Sequence, residues 1–170
     1  MLIVGIDPGT LRLGWGIVEA SPRAALSTFI SCGVLRAPED WPRWRRLEHL
    51  GAELDAVLAG QGVEAGIDAA ALESGFVPRS ARPGILELAE SRGVASYVCA
   101  RRGLGVLMVA PSAVKLAVTG YGRADKQQVQ RMIAARLRLK QTPPEDAADA
   151  LGVALAAAPI LGTEGLRATA

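Results

Sequence analysis

What is scarce in this 170-residue chain narrows its chemistry first. It has two cysteines, Cys32 and Cys99, in no CxxC motif and at no paired spacing. That excludes a disulfide framework and a thiolate metal site, and fits a reducing, cytoplasmic setting with both thiols in or near the core. The one histidine, His49, has no local company with which to build a zinc site or a Ser–His–Asp triad. Any metal must therefore be held mainly by oxygen. Aromatic residues are only 4% of the chain, so the core must come from the abundant Ala, Leu, Val and Gly, which suits close helix–sheet packing. No apolar run is long enough to span a bilayer. The first residues alternate as a strand instead of leading from a basic segment into an apolar one, so no secretory signal is expected.

What is present suits one domain with a single core. It is expected over residues 1–162, with a frayed tail at 163–170. The net charge of +2 hides an asymmetry: residues 1–78 carry −4 and residues 79–170 carry +6. Such a split reads either as a face for a polyanion or as solvated helix surfaces.

Strand patterns fall at 2–7, 13–20 and 27–36. Between the first two stands Asp7-Pro8-Gly9-Thr10, which predicts a type II turn with Gly9 at positive φ. A helix is expected from about Asp40, with Leu47, Leu50, Leu54, Val57 and Leu58 on one face and a stop at Gly60-Gln61-Gly62. A short apolar strand, 66–72, ends on Glu73, and the Gly- and Pro-bearing stretch 74–84 reads as a loop. A helix over 85–99, a strand over 106–110 and a helix from Pro111 to Gly120 follow. Two more helices are expected, from an Asp125 cap to Leu139 and from Thr142-Pro-Pro-Glu145 to about Leu161. The order of elements describes an α/β fold.

Two apolar strands thus end on a carboxylate, Asp7 and Glu73. If both are central and parallel, the two acids lie side by side. Asp7 by itself reads equally as a turn residue accepting hydrogen bonds. In the last helix Asp146 and Asp149 are i and i+3 and share a face. Taken alone they read as N-terminal charges favoured by the helix dipole. Four carboxylates gathered in one place are costly without a cation, and an oxygen-only set points to Mg²⁺ or Mn²⁺.

In order along the chain, GIDPGT, ALESGF, PSAVK with GYGRADKQQVQRM, and EDAADALGVALA resemble the RuvC family of bacterial Holliday junction resolvases. The likeness runs over roughly residues 2–158. It implies a ribonuclease H-like fold, a mixed five-stranded sheet flanked by helices, acting as a homodimer on four-way junction DNA. It implies two symmetric incisions in recombination and repair, and the RuvA–RuvB branch-migration complex as a partner. By position, Asp7, Glu73, Asp146 and Asp149 match the family's metal-binding carboxylates, which are expected to hold two ions. Phe76 matches an aromatic wedge at the junction, and Lys115 and Lys126 match basic DNA-binding positions. The loop arginines Arg79 and Arg82, with Arg123, are further DNA-binding candidates. The chain departs from the family where VPRSARPGILELAESRGV opens the helix that carries the family's dimer contact.

Rival readings remain open at this level. Phe76 could fold back on the core or stack on an unpaired base. The first hairpin also resembles the phosphate loop of actin-like sugar kinases, which need a second lobe. It is likewise shared with YqgF-like nucleases acting on RNA. A non-catalytic junction-binding protein would not need the four acids.

Overall fold

The computed structural model describes residues 1–20, 27–60, 66–75 and 84–164, with side chains up to 162. Its elements are β1 (Leu2–Asp7), β2 (Arg12–Ala20), β3 (Ser27–Arg36), α1 (Arg43–Gly60), β4 (Ala69–Glu73), α2 (Ile85–Arg101), β5 (Gly105–Val109), α3 (Pro111–Thr119), α4 (Lys126–Arg136) and α5 (Glu145–Glu164). The sheet order is β3-β2-β1-β4-β5, so β1 is central. The β1–β2 and β2–β3 pairs are antiparallel, while β1–β4 and β4–β5 are parallel. This is the mixed five-stranded sheet with helices on both faces that the sequence implied.

Alternation along the strands sorts side chains between two cores. Leu2, Val4, Ile6, Ala70 and Leu72 face α1 and α2, where they meet Leu50, Leu54, Val57, Ala95 and Val98. Ile3, Ala69 and Ala71 face the other way, against α5 with Leu151, Val153 and Ala154. Cys99 is buried and Cys32 partly buried, both unbridged, as expected.

The α5 face is built for close approach. A Cβ on Gly5 would overlap the carbonyl oxygen of Ala150, and one on Gly14 that of Asp146. The helix answers with its own small residues, Ala147, Ala150 and Ala154, all fully buried. Helix and sheet therefore meet backbone to backbone, where a larger side chain would hold them apart.

Several boundaries differ from the sequence expectation, each for a local reason. Helix α1 begins at Arg43, because Pro42 disfavours helical backbone at Trp41 and its own carbonyl caps the helix, accepting from Arg45 (3.0 Å) and Arg46 (3.2 Å). Strand β4 begins at Ala69, after Gly66 turns the chain at φ 74°. Helix α4 ends at Arg136, because Arg138 adopts φ 52° and turns the chain out. Helix α5 runs on to Glu164, past the expected end near Leu161, and residues 165–170 of the expected tail lie outside the described residues.

The turn after Asp7 is also different. Gly9 is not in the left-handed region, so the connection is not a type II turn. A glycine is required there because a Cβ would strike the Arg12 carbonyl oxygen. Ser91 Oγ of α2 donates to the Gly9 carbonyl at 2.9 Å and ties this turn to the helix behind it.

Candidate active site

Period two places Asp7 on the same side of β1 as Ile3 and Gly5, and Glu73 on the same side of β4 as Ala69 and Ala71. That is the α5 side. The register pairs Ile6 with Leu72, so Asp7 and Glu73 follow as neighbours at the ends of adjacent parallel strands. Asp68 helps fix this register at the other end: its N–H donates to the Leu2 carbonyl (2.9 Å), and its Oδ2 accepts from the Leu2 N–H (2.7 Å). Gly14, opposite Asp7 in the antiparallel pair, lies directly under the Asp146 backbone. Close packing of α5 thereby brings Asp146 over Asp7, with Asp149 one turn further along.

The cost of this assembly shows in its protonation. Burial lifts the Asp7 carboxyl from its usual 3.8 to about 7, helped by Glu73, Asp149 and Asp146 and opposed by Lys126. Burial also raises Glu73, with Asp149 adding to it, while Lys126, Arg92 and Lys115 pull it down. Asp149 is raised by burial against the downward pull of Lys126.

Lys126 is the cation closest to this cluster. It opens α4 just after Asp125, whose side chain accepts from the Gln128 N–H (2.8 Å) while Gln128 Oε1 accepts from the Asp125 N–H (3.2 Å). Its ammonium bonds Asp149 Oδ2 at 3.0 Å and pairs with Glu145. Desolvation works against the charge on Lys126, but those two partners outweigh it and raise its pKa. Among the described residues no three acidic, histidine or cysteine side chains converge as a ready metal cage. The carboxylates are neighbours, and the Lys126 ammonium bonds Asp149 among them.

Beside them opens a cleft of about 290 Å³ lined by Glu73, Pro111, Val114, Lys115, Lys126, Val129 and Asp149. The structure thus brings together Asp7, Glu73, Asp146, Asp149, Lys115 and Lys126. Arg123 is exposed in the turn before α4 and makes no ion pair to the acids among the described residues. Phe76, Arg79 and Arg82 lie outside the described residues. Sequence reasoning missed Glu145, Ser91, Asp68 and Arg92, whose guanidinium fills the space beside Gly75. Glu145 was legible only as a first-turn acid, and no local pattern marked the other three.

A family model for the crossover junction endodeoxyribonuclease RuvC matches residues 3–157. The chain belongs to the RuvC family. A RuvC from Azorhizobium caulinodans is 40% identical over 168 residues, covering 99% of this chain and 95% of that one. Another, from an Anaeromyxobacter species, is 44% identical over 157 residues, covering 91% and 79%. Among solved structures, Thermus thermophilus RuvC in complex with a Holliday junction substrate superposes with a TM-score of 0.84 at 29% identity, over 96% of both chains. The ribonuclease H-like fold implied by the sequence is therefore that of RuvC, and the family is one of DNA endonucleases.

Proposed function

We propose that this protein resolves Holliday junctions, hydrolysing one phosphodiester in each of two opposed strands during recombination and repair. The observation that carries this reading is that, in a RuvC chain, Asp7 and Glu73 end adjacent parallel strands under the start of α5, which bears Asp146 and Asp149, beside the Lys115–Lys126 cleft. Neither the RNA-directed nor the non-catalytic reading has a comparable observation behind it.

The donor set fits Mg²⁺ or Mn²⁺ in kind. It is all hard oxygen, it carries excess negative charge in a partly buried place, and the Lys126 ammonium already stands where a cation is required. Asp7 and Glu73 would hold one ion and Asp7, Asp146 and Asp149 a second, with Lys126 turning away from Asp149. Bound there, two ions supply an activated water and charge stabilisation on the leaving oxygen. The protein's own part is positional. The β1 ladder bonds fix Asp7, α5 fixes Asp146 and Asp149, and Lys115 and Lys126 hold the phosphate of the cut strand. Hydrolysis forms a phosphorus–oxygen bond from water and breaks the scissile one, and the water's proton ends on the leaving oxygen.

A two-fold dimer would present one such site to each of two equivalent junction strands. Helix α2 offers the surface for it, with Leu86, Leu88 and Tyr97 exposed. Phe76 would stack on an unpaired base at the junction centre, with Arg79, Arg82 and Arg123 on nearby phosphates. We place the protein in the cytoplasm with the RuvA–RuvB complex as its partner. No helix among the described residues is long and apolar enough to cross a membrane. Incubating the protein with a synthetic four-way junction and a matched linear duplex, with and without Mg²⁺ or Mn²⁺, tests the reading. Metal-dependent paired cuts confined to the junction are expected, and equal cutting of the duplex or metal-independent cutting would overturn it.

A further inference from the structure

We propose that the groove between the start of β3 and the segment after α4 binds the phosphate backbone of a duplex DNA arm, at the far end of the sheet from the carboxylates. The inference rests on the junction reading above and extends it to a second contact surface. The groove encloses about 580 Å³, with Ser27, Thr28 and Phe29 on one wall and Arg136, Arg138 and Lys140 on the other. From Lys126 to Pro144 the chain carries five Lys or Arg and no Asp or Glu. Arg138 and Lys140 are exposed and form no ion pair among the described residues. Arg136 donates one guanidinium N–H to the Ala117 carbonyl and keeps the others. Cations and hydroxyls converging on one groove are the donors that phosphate oxygens take.

The bland explanation is that cations near a helix C-terminus favour the dipole. It suits Arg136, the last helical residue, but not the choice of residue at 138. Helix α4 ends with the Leu139 N–H on the Ala134 carbonyl (2.9 Å) and the Arg138 N–H on the Ala135 carbonyl (3.2 Å). Arg138 occupies the left-handed position of this ending, φ 52°, where glycine is the favoured residue. Arginine at that position forgoes the glycine preference and places its side chain in the groove lining.

The distance suits a duplex. Strand pairing sets Thr28 across from Glu19 and Glu19 across from Leu2, at the opposite end of β1 from Asp7. Helix α4 spans the same gap from Lys126 to Arg136. Its eleven residues cover about 16 Å at roughly 1.5 Å each. The groove lies a few ångströms further, or about five to seven base pairs from the incision site at about 3.4 Å per pair. An arm leaving the Lys126 end reaches the groove within its first helical turn.

Binding of Arg138→Gly/Lys140→Gln to two junctions decides the matter, one with arms of about 20 base pairs and one with arms closed by hairpins after about four. With the long arms, Kd should rise roughly tenfold at about 0.1 M salt, and the slope of log K against log salt should shrink by about 2. With the short arms the change should stay within about twofold, and thermal stability should be equal or higher, since glycine relieves the φ at 138. Arg138→Lys/Lys140→Arg should restore long-arm binding. Equal losses on both junctions, or a drop in melting temperature with long-arm binding intact, would overturn the proposal. So would wild-type affinity for both, which would leave the groove to an acidic protein partner. If the wild type cuts junctions while the variant binds both normally, only the groove assignment falls. A wild type that neither binds nor cuts junctions sinks both readings.

Discussion

Asp7 shows how one side chain links the fold to its chemistry. The usual carboxyl pKa of 3.8 is lifted to about 7, first by burial and then by Glu73, Asp149 and Asp146. In the metal-free protein, between pH 4 and 7, the folded state therefore holds a proton that the unfolded chain has released. Stability must fall as pH rises through that window and stay low above it. At about 1.4 kcal/mol per unit over roughly three units, the loss is on the order of 4 kcal/mol. Melting in chelator should show a higher Tm at pH 5 than at pH 8, and Asp7→Asn should flatten that slope while abolishing incision and sparing junction binding. An Asn variant that still cuts within a few-fold of wild type would return Asp7 to a turn role. Phe76→Ala carries its own expectation: base stacking is worth roughly 1–3 kcal/mol, so incision of fully paired junctions should drop by about one to two decades. The drop should shrink on junctions with mismatched centres, and a large fall in Tm with equal loss on both would mark Phe76 as core.

At the scale of elements, the seam between α5 and the sheet decides whether a site exists at all. Gly5 meets the backbone of Ala150 and Ala154, which cannot move without lifting the helix. A Cβ on Gly16 would come within 2.6 Å of the Leu151 Cγ, a side chain that can give part of the way although it is fully buried, and 3.1 Å from the Leu151 backbone nitrogen. Both substitutions to alanine overpack the seam, but the first should cost about 3 kcal/mol or more and the second about 1–2. Urea unfolding of the two variants would rank them. The same lift would carry Asp146 and Asp149 away from Asp7, so Gly5→Ala should lose incision even where it folds. Equal destabilisation by the two changes would mean that α5 does not depend on backbone contact.

For the whole molecule, the proposed paired cuts call for a second copy of the site. Leu86 is 75% exposed and Tyr97 63% on α2, a helix whose opposite side already packs with Val98 and Ala95 on the core. Exposed apolar side chains at several positions of one helix suit a partner surface. If the proposed dimer forms through this face, Leu86→Glu should leave folding intact, give a monomer by light scattering at micromolar concentration, and convert paired incisions into single nicks. A variant that stays dimeric, or a monomeric wild type that still cuts in pairs, would place the symmetry elsewhere.

How much of this was legible before the fold is clear from particular residues. Alternation fixes which strand residues share a face, so the acids closing 2–7 and 66–73 could be picked out with their orientation. The i, i+3 spacing did the same for Asp146 and Asp149, and the motif order carried the family. Local signals were weaker at the turn, where Gly9 serves close approach to Arg12 and not positive φ. They were silent on the bond of Lys126 to Glu145, which joins residues 19 apart through two different helices. They were equally silent on the groove, which β3 and the end of α4 build from segments about a hundred residues distant in the chain. Spacing along a chain encodes direction relative to the local backbone. Which carboxylate meets which cation depends on how closely separate elements pack, and here that closeness is set by glycine and alanine on facing surfaces of α5 and the sheet.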